Sequence, residues 1–251
     1  MSEPIRSKSG IQDFYDDPKV VESYLAKRKE RPLGSVLHDR QVAFVNQTIA
    51  RLRPQRVLEL APGPGRLSAE VGPIPFAVGM DFSPNMLTVA RKRTREAGRP
   101  YWNFLRGDGF SLPFPAATFD LVFSTRFVRR WELPQRQRLY AEIRGVLRPG
   151  GHLVLDAQNK SVAGPHREGR DGYPVYDELW TREELVAELQ TNGFDVVHLE
   201  GIMRRFTLQW RIHTLRRFGL AGPARLAIRA LERTSDGNPS TWMALCRSRG
   251  A

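Results

Sequence analysis

Cysteine is nearly missing from this chain of 251 residues: Cys246 stands alone. No internal disulfide and no cysteine-built zinc site can therefore form. Histidine is scarce too, and its five copies are scattered, so no metal is expected. No run of about 18 apolar residues occurs, which excludes a hydrophobic spanning helix. The opening MSEPIRSKSG has no apolar stretch of the kind a secretory signal needs, and the expected location is the cytoplasm. A G-x-x-x-x-G-K-[ST] phosphate loop is absent, which speaks against a P-loop nucleotidase.

Lysine is the rarer cation: six of the 39 basic residues, the other 33 being arginine, for a formal charge of +12. Such a charge suits nucleic acid, an anionic membrane or an acidic substrate, but arginine bias of this kind also follows from genome composition. The 41% hydrophobic content is enough for a full core in one α/β unit.

The apolar pattern divides the chain. Residues 12 to 51 have helical spacing, with Val36, Leu37, Val42, Phe44, Val45, Ile49 and Leu52 recurring after a candidate cap at Ser35. From Val57 onward short apolar runs (RVLEL, PFAVGMD, WNFLRGD, FDLVFST, GHLVLDA) alternate with helical stretches at 83 to 97 and 134 to 147. This alternation predicts a Rossmann-like, doubly wound, mainly parallel sheet of seven strands. A loop rich in glycine and charge follows Asn159. Thr181 and Glu184 have capping-box spacing for a helix at 181 to 192, and FDVVHLEGI and TWMALCRSR close the sheet around a helical insertion at 204–233. The expected organisation is one domain over 1–251, with an N-terminal helical cap (1–54), a cofactor-binding core (55–160) and a C-terminal acceptor-side part (161–251).

Within the core, VLELAPGPGR reads as a buried strand entering a glycine loop, yet Pro62 and Pro64 carry no backbone N–H. Their rings are expected to hold Ala61 and Gly63 extended, between a strand and a helix. Glu59, Asp81 and Asp108 fall at or after the ends of the first three core strands, where ligands of open α/β sheets bind. Ionised carboxylates only accept hydrogen bonds, so this set suits ribose hydroxyls and an amine and suits a triphosphate poorly. Each acid also has a plain structural reading, as a solvated strand end, a helix cap or a turn former. A dinucleotide oxidoreductase is an alternative: GPGRLS places Ser68 where that fingerprint wants a small residue, although Asp81 comes early for its acid.

In order along the chain, VLELAPGPG, AVGMDFSPNMLTVARKR, RGDGFSLPFPAATFDLVFST and EIRGVLRPGGHLVL resemble the successive motifs of class I S-adenosylmethionine-dependent methyltransferases of the methyltransferase-11 or ubiquinone/menaquinone-methyltransferase-like group, over roughly residues 55 to 157. The resemblance implies S-adenosyl-L-methionine as cofactor. It places Glu59, Ala61, Gly63 and Gly65 at the methionine and ribose end, Asp81 on the ribose hydroxyls beside Phe82 and Ser83, and Met86 against adenine. It puts Asp108 on the adenine amine, Gly109 and Phe110 at the ring border, and Ser124 to Arg126 toward methionine and acceptor. The family's first loop glycine is Ala61 here.

Methyl transfer is an in-line displacement that positioning accelerates, and it needs a general base only when the acceptor must lose a proton. His166 and Tyr173 are the preferred base candidates, with His38, Tyr15 and Tyr176 behind them; His152 and His198 fall in strands and read as structural. Arg126, Arg129 and Arg130 in RFVRRW suit a carboxylate or phosphate on the acceptor, or are solvated helix charges. The basic amphipathic segment 204–233 lies on an anionic membrane or caps an acceptor site, and its Gly219, Gly222 and Pro223 favour the packed cap. The expected acceptor is a small molecule or lipid-like, with peripheral membrane contact compatible. Nucleic acid is less favoured, because the (N/D)-P-P-(Y/F) tract of many nucleic-acid amino-methyltransferases is replaced by STRF. A binding protein with a degenerate site is the third class.

Overall fold

The computed structural model describes residues 3–29, 31–167, 174–233 and 237–249. Three helices come first: α1 (Lys8–Asp16), α2 (Pro18–Lys29) and α3 (Pro32–Leu52). The third starts at Pro32, whose missing N–H and preset φ suit a first helical position, and Ser35 lies inside it instead of capping it. Then follow β1 (Arg56–Leu60), β2 (Phe76–Asp81), α4 (Pro84–Glu96), β3 (Trp102–Arg106), β4 (Phe119–Ser124), α5 (Leu133–Val146) and β5 (Leu147–Asn159). The C-terminal part has α6 (Lys160–Arg167), β6 (Leu179–Trp180), α7 (Arg182–Thr191), β7 (Phe194–Ile202), α8 (Phe206–Thr214), α9 (Ala221–Glu232) and β8 (Thr241–Ser248).

The sheet runs β3-β2-β1-β4-β5-β8-β7, with the two-residue β6 beside β5. All pairings are parallel except those of β8 with β5 and with β7. This is the expected Rossmann-like, mainly parallel sheet, with one short extra strand. Thr181 forms the expected capping box with Glu184.

Alternation along the strands sorts the core into two layers, because successive side chains point to opposite faces. Leu58 and Leu60 pack with Tyr140 and Ile143 of α5 and Leu185 and Leu189 of α7. Val57 packs on the other face, with Phe44, Val45 and Ile49 of α3 and Ile228 of α9. Cys246 is buried in the first layer, and burial pushes its thiol up to about 12, so it behaves as a small apolar side chain.

Two local expectations change. The β1–β2 connection is a series of turns over 63–70 and not a regular helix, although Gly65–Ala69 and Leu67–Val71 keep helix-like bonds of 3.2 and 3.0 Å. Ala61 and Gly63 are left-handed, with φ of 58° and 55°, and not extended. Proline disfavours the right-handed α region of the residue before it, and the tight reversal after β1 is met here by the left-handed one.

Candidate functional site

A cavity of about 810 Å³, open mouth included, lies at the carboxyl ends of β1, β2 and β4, where this topology places ligands. Its wall includes Ala61, Gly63, Asp81, Phe82, Ser83, Met86, Asp108, Gly109, Phe110 and Arg126, ten of the residues the sequence singles out. Glu59, Gly65 and Ser124 stand behind that wall. Ser124 donates to the Leu60 carbonyl at 2.8 Å and ties β4 to β1. A side chain on Gly65 would meet the α4 backbone at Ala90 at 2.9 Å, so this glycine serves close packing. At Gly63 an added Cβ would meet only the Met86 sulfur, at 4.0 Å, which leaves room for a ligand beside the backbone.

Glu59 shares the α3-facing side of β1 with Val57, by the two-residue period. It is buried and accepts a hydrogen bond from Ser68. Burial raises its carboxyl from 4.5 to about 7, against the lowering effects of Ser68 and Arg66. It braces the loop from beneath.

The amides of the loop are already committed. Ala61 N–H donates to the Met80 carbonyl at 2.8 Å, Gly65 N–H to the Pro62 carbonyl at 3.2 Å, and Gly63 N–H to Asp81 Oδ2 at 2.8 Å. Pro62 and Pro64 have none to give. Asp81 Oδ1 accepts from Ser83 N–H at 3.0 Å. Burial raises its carboxyl, and these backbone donors act against the rise. Ser83 caps α4 by accepting from Met86 N–H at 3.0 Å.

Helices α1 and α2 cover this wall with Ile11, Gln12, Tyr15 and Tyr24. Lys8 pairs with Asp108 and lies 4.9 Å from the Phe110 ring centre. At the far end of α1 the Asp16 carboxylate accepts from Ser83 Oγ, and its carbonyl accepts from Asn85 at 3.0 Å. Tyr15 and Tyr24 meet edge to face, 6.4 Å between ring centres.

The wall is completed from the β4 end by Thr125, Arg126, Phe127, Arg130 and Trp131. Arg126 holds φ 65°, a costly conformation for a side-chain-bearing residue, and its N–H donates to Asp156 Oδ1 at 2.5 Å. Arg129 and Arg130 are not solvated helix charges: both are buried and converge on Asp177, at 3.1 and 3.4 Å, where Arg167 also pairs. Burial by itself would raise the Asp177 carboxyl; Arg129, Arg130 and Arg167 hold it below the ordinary value. Burial, the largest single influence, depresses the Arg130 guanidinium, but Asp177, Tyr15, Tyr24 and Asp156 together outweigh it and the net direction is up.

The base candidates separate cleanly. His166 is off the cavity: α6 delivers it to the insertion, where its ring packs edge-on against Phe206 at 4.9 Å and meets Thr207 Oγ1 at 3.4 Å. Tyr173 lies outside the described residues. His38 is buried between Arg66, at 2.6 Å from Nδ1, and Glu70, at 3.1 Å from Nε2. Arginine can only donate, so Nδ1 accepts and Nε2 carries the proton toward Glu70. Tyr176 donates to Glu178 at 2.8 Å, and burial pushes its phenol up to about 12. Of the four described candidates, only Tyr15 is on the wall. Tyr24, Ile11 and Trp131 were missed, since their place depends on how α1 and α2 fold back over the sheet. The insertion does not cap the cavity: none of residues 204–233 lines it.

Residues 58–155 match the methyltransferase domain family. The demethylmenaquinone methyltransferase of Lactococcus lactis subsp. lactis (strain IL1403) is 34% identical over 121 residues, 47% of this chain and 47% of that protein. The enzyme of the same name from Listeria welshimeri is 30% identical over 154 residues, 58% and 62% of the two chains. The alignments thus span about half to three fifths of the curated relatives' own length. Among solved structures, the [4+2]-cyclase SpnF superposes with a TM-score of 0.68 over 99% of this chain and 98% of its own, at 19% identity, a likeness of fold.

Proposed function

Residues 58–155 belong to the methyltransferase domain family and sit on the class I fold, and from that premise we propose that the chain transfers the methyl group of S-adenosylmethionine to a small-molecule acceptor, lipid-like or aromatic and bearing an anionic group. The carrying observation is the loop at 61–65, whose amides are bonded within the protein or replaced by proline. A dinucleotide's pyrophosphate needs such amides; a nucleoside joined to an amino acid does not. The acceptor-only carboxylates of Asp81 and Asp108 and the open flank of Gly63 fit that donor.

In this reading Asp81 holds the ribose hydroxyls, Met86, Phe82 and Phe110 enclose the base, and Asp108 turns from Lys8 to the base's exocyclic amine. Bound there, the donor supplies an electrophilic methyl carbon on a sulfonium. Thr125 and Arg126 border the methionine end, and Tyr15, Tyr24, Phe127 and Trp131 form an aromatic enclosure that excludes water. Arg126 and Arg130 provide a positive field for an anionic acceptor, and Tyr15 is the group on this wall placed to relay its proton. In-line attack follows from positioning in that enclosure.

The test is transfer of labelled methyl from the donor to a panel of phenols, quinols and aromatic acids. Transfer is expected, with Tyr15→Phe lowering kcat about tenfold or more and changing its pH profile while donor affinity holds. Donor binding with no transfer to any acceptor would favour a non-catalytic binder instead.

A further inference from the structure

The insertion 204–233 has an inner side that is tied down and an outer side that is not covered. Inside, Ala224 and Ile228 of α9 are buried, and Ile228 packs in the layer shared with α3. Glu232 accepts from the amides of Met203 and Arg204 at 2.8 and 3.2 Å and from Gln209 Nε2 at 3.0 Å. Arg225 and Arg229 pair with Asp39 of α3. The platform is therefore anchored at both ends of α9.

Outside, Phe218 is 78% and Leu226 66% exposed, with Leu215 and Leu220 at 40% and 45%. Five of the nine large hydrophobics exposed among the described residues fall between 208 and 226, although this insertion is a small part of the chain. On α9 the exposed residues Pro223, Leu226, Ala227 and Ala230 recur at three- and four-residue spacing, so they share one face. Phe218 sits just before it, next to the exposed Arg216 and Arg217. The insertion holds eight arginines and one acid, Glu232, and that acid is buried. Outward charge on the insertion is thus of one sign.

We propose that this face docks the protein on an anionic lipid surface, with Phe218 and Leu226 entering the headgroup and acyl boundary and Arg216 and Arg217 meeting lipid phosphates. An apolar stripe with basic flanks is what interfacial helices use. A second copy fits poorly, because its matching face carries the same positive charge on a chain of +12. Contact is peripheral, since no helix among the described residues is long and apolar enough to cross a membrane. The inference is independent of the methyl-transfer reading.

Co-sedimentation of the full chain with vesicles of phosphatidylglycerol and phosphatidylcholine, against phosphatidylcholine alone, tests it. Binding to the anionic vesicles only is expected, weakening as salt screens the charges. The F218S/L226S variant should bind at least about tenfold more weakly at an unchanged melting temperature. R216E/R217E offers a second variant should the first fold poorly, with the same direction. No binding to anionic vesicles would overturn the proposal. So would equal binding by wild type and both variants, or a self-association or RNA binding that the variants abolish while vesicle binding persists.

Discussion

Asp81 and Arg130 line the same cavity, yet they hold charge in opposite ways. Asp81 is fixed by two backbone amides, from Gly63 and Ser83, and each of its oxygens keeps a lone pair for a ligand hydroxyl. Arg130 is bound back to Asp177 at 3.4 Å and to the Tyr176 carbonyl at 3.2 Å, within a buried lattice that also takes in Arg129 and Arg167. At Asp81 the backbone does the positioning and the side chain lines the cavity. At Arg130 side chains position one another, and the cavity meets a positive field more than a set of free donors. Substitutions should accordingly injure folding on the second side and affinity on the first.

Asp177→Asn gives the largest expected effect. It removes the counter-charge shared by the buried guanidiniums of Arg129 and Arg130, leaving Asp156 3.8 Å from Arg129, at a cost of about 3–5 kcal/mol, so a thermal melt should shift down by roughly 10 °C. The protein that remains folded should keep its affinity for S-adenosylhomocysteine. A matching loss of that affinity would erase the contrast between the two sides.

Glu59→Gln comes next and is read against pH. The folded carboxyl sits at about 7, above its ordinary 4.5, so the folded state holds the proton more tightly. That contribution is complete below pH 4.5 and is lost as pH rises through 7, by roughly 3 kcal/mol at most. Denaturant titrations across this window should show the decline in the parent protein and a flatter profile in the variant.

Asp81→Ala should lower S-adenosylhomocysteine affinity by about ten- to a hundredfold, the worth of hydrogen bonds to a charged group, with a smaller fall in melting temperature than Asp177→Asn causes. Ala61→Gly is the mildest. Relief of the left-handed strain at φ 58° is offset by glycine's greater unfolded-state freedom, so scanning calorimetry should find stability within about 1 kcal/mol of the parent.

The same contrast explains what could be read from the chain before folding. Alternating apolar runs and the Thr181–Glu184 cap are local signals, and the sheet and helices follow them closely. The place of Asp81 and Asp108 on the cavity wall was legible because strand ends in this topology open onto the crevice, while Glu59, one position short of the strand end, points into the α3 layer by the two-residue period. The far wall of the cavity was not legible, because it depends on pairings distant in sequence: Arg129 with Asp177, Tyr15 brought onto the wall by α1, His166 drawn to Phe206. A histidine in a short basic helix carries no local mark of which partner the fold will give it.

In the proposed reading the loop at 61–65 and Asp81 hold a nucleoside–amino acid donor and no pyrophosphate. The most direct measurement is calorimetric titration of the full chain with S-adenosylhomocysteine, with NAD and NADP run in parallel. Saturable binding of S-adenosylhomocysteine alone, weakened in Asp81→Ala, is the predicted result; tight binding of NAD or NADP without S-adenosylhomocysteine binding would contradict it.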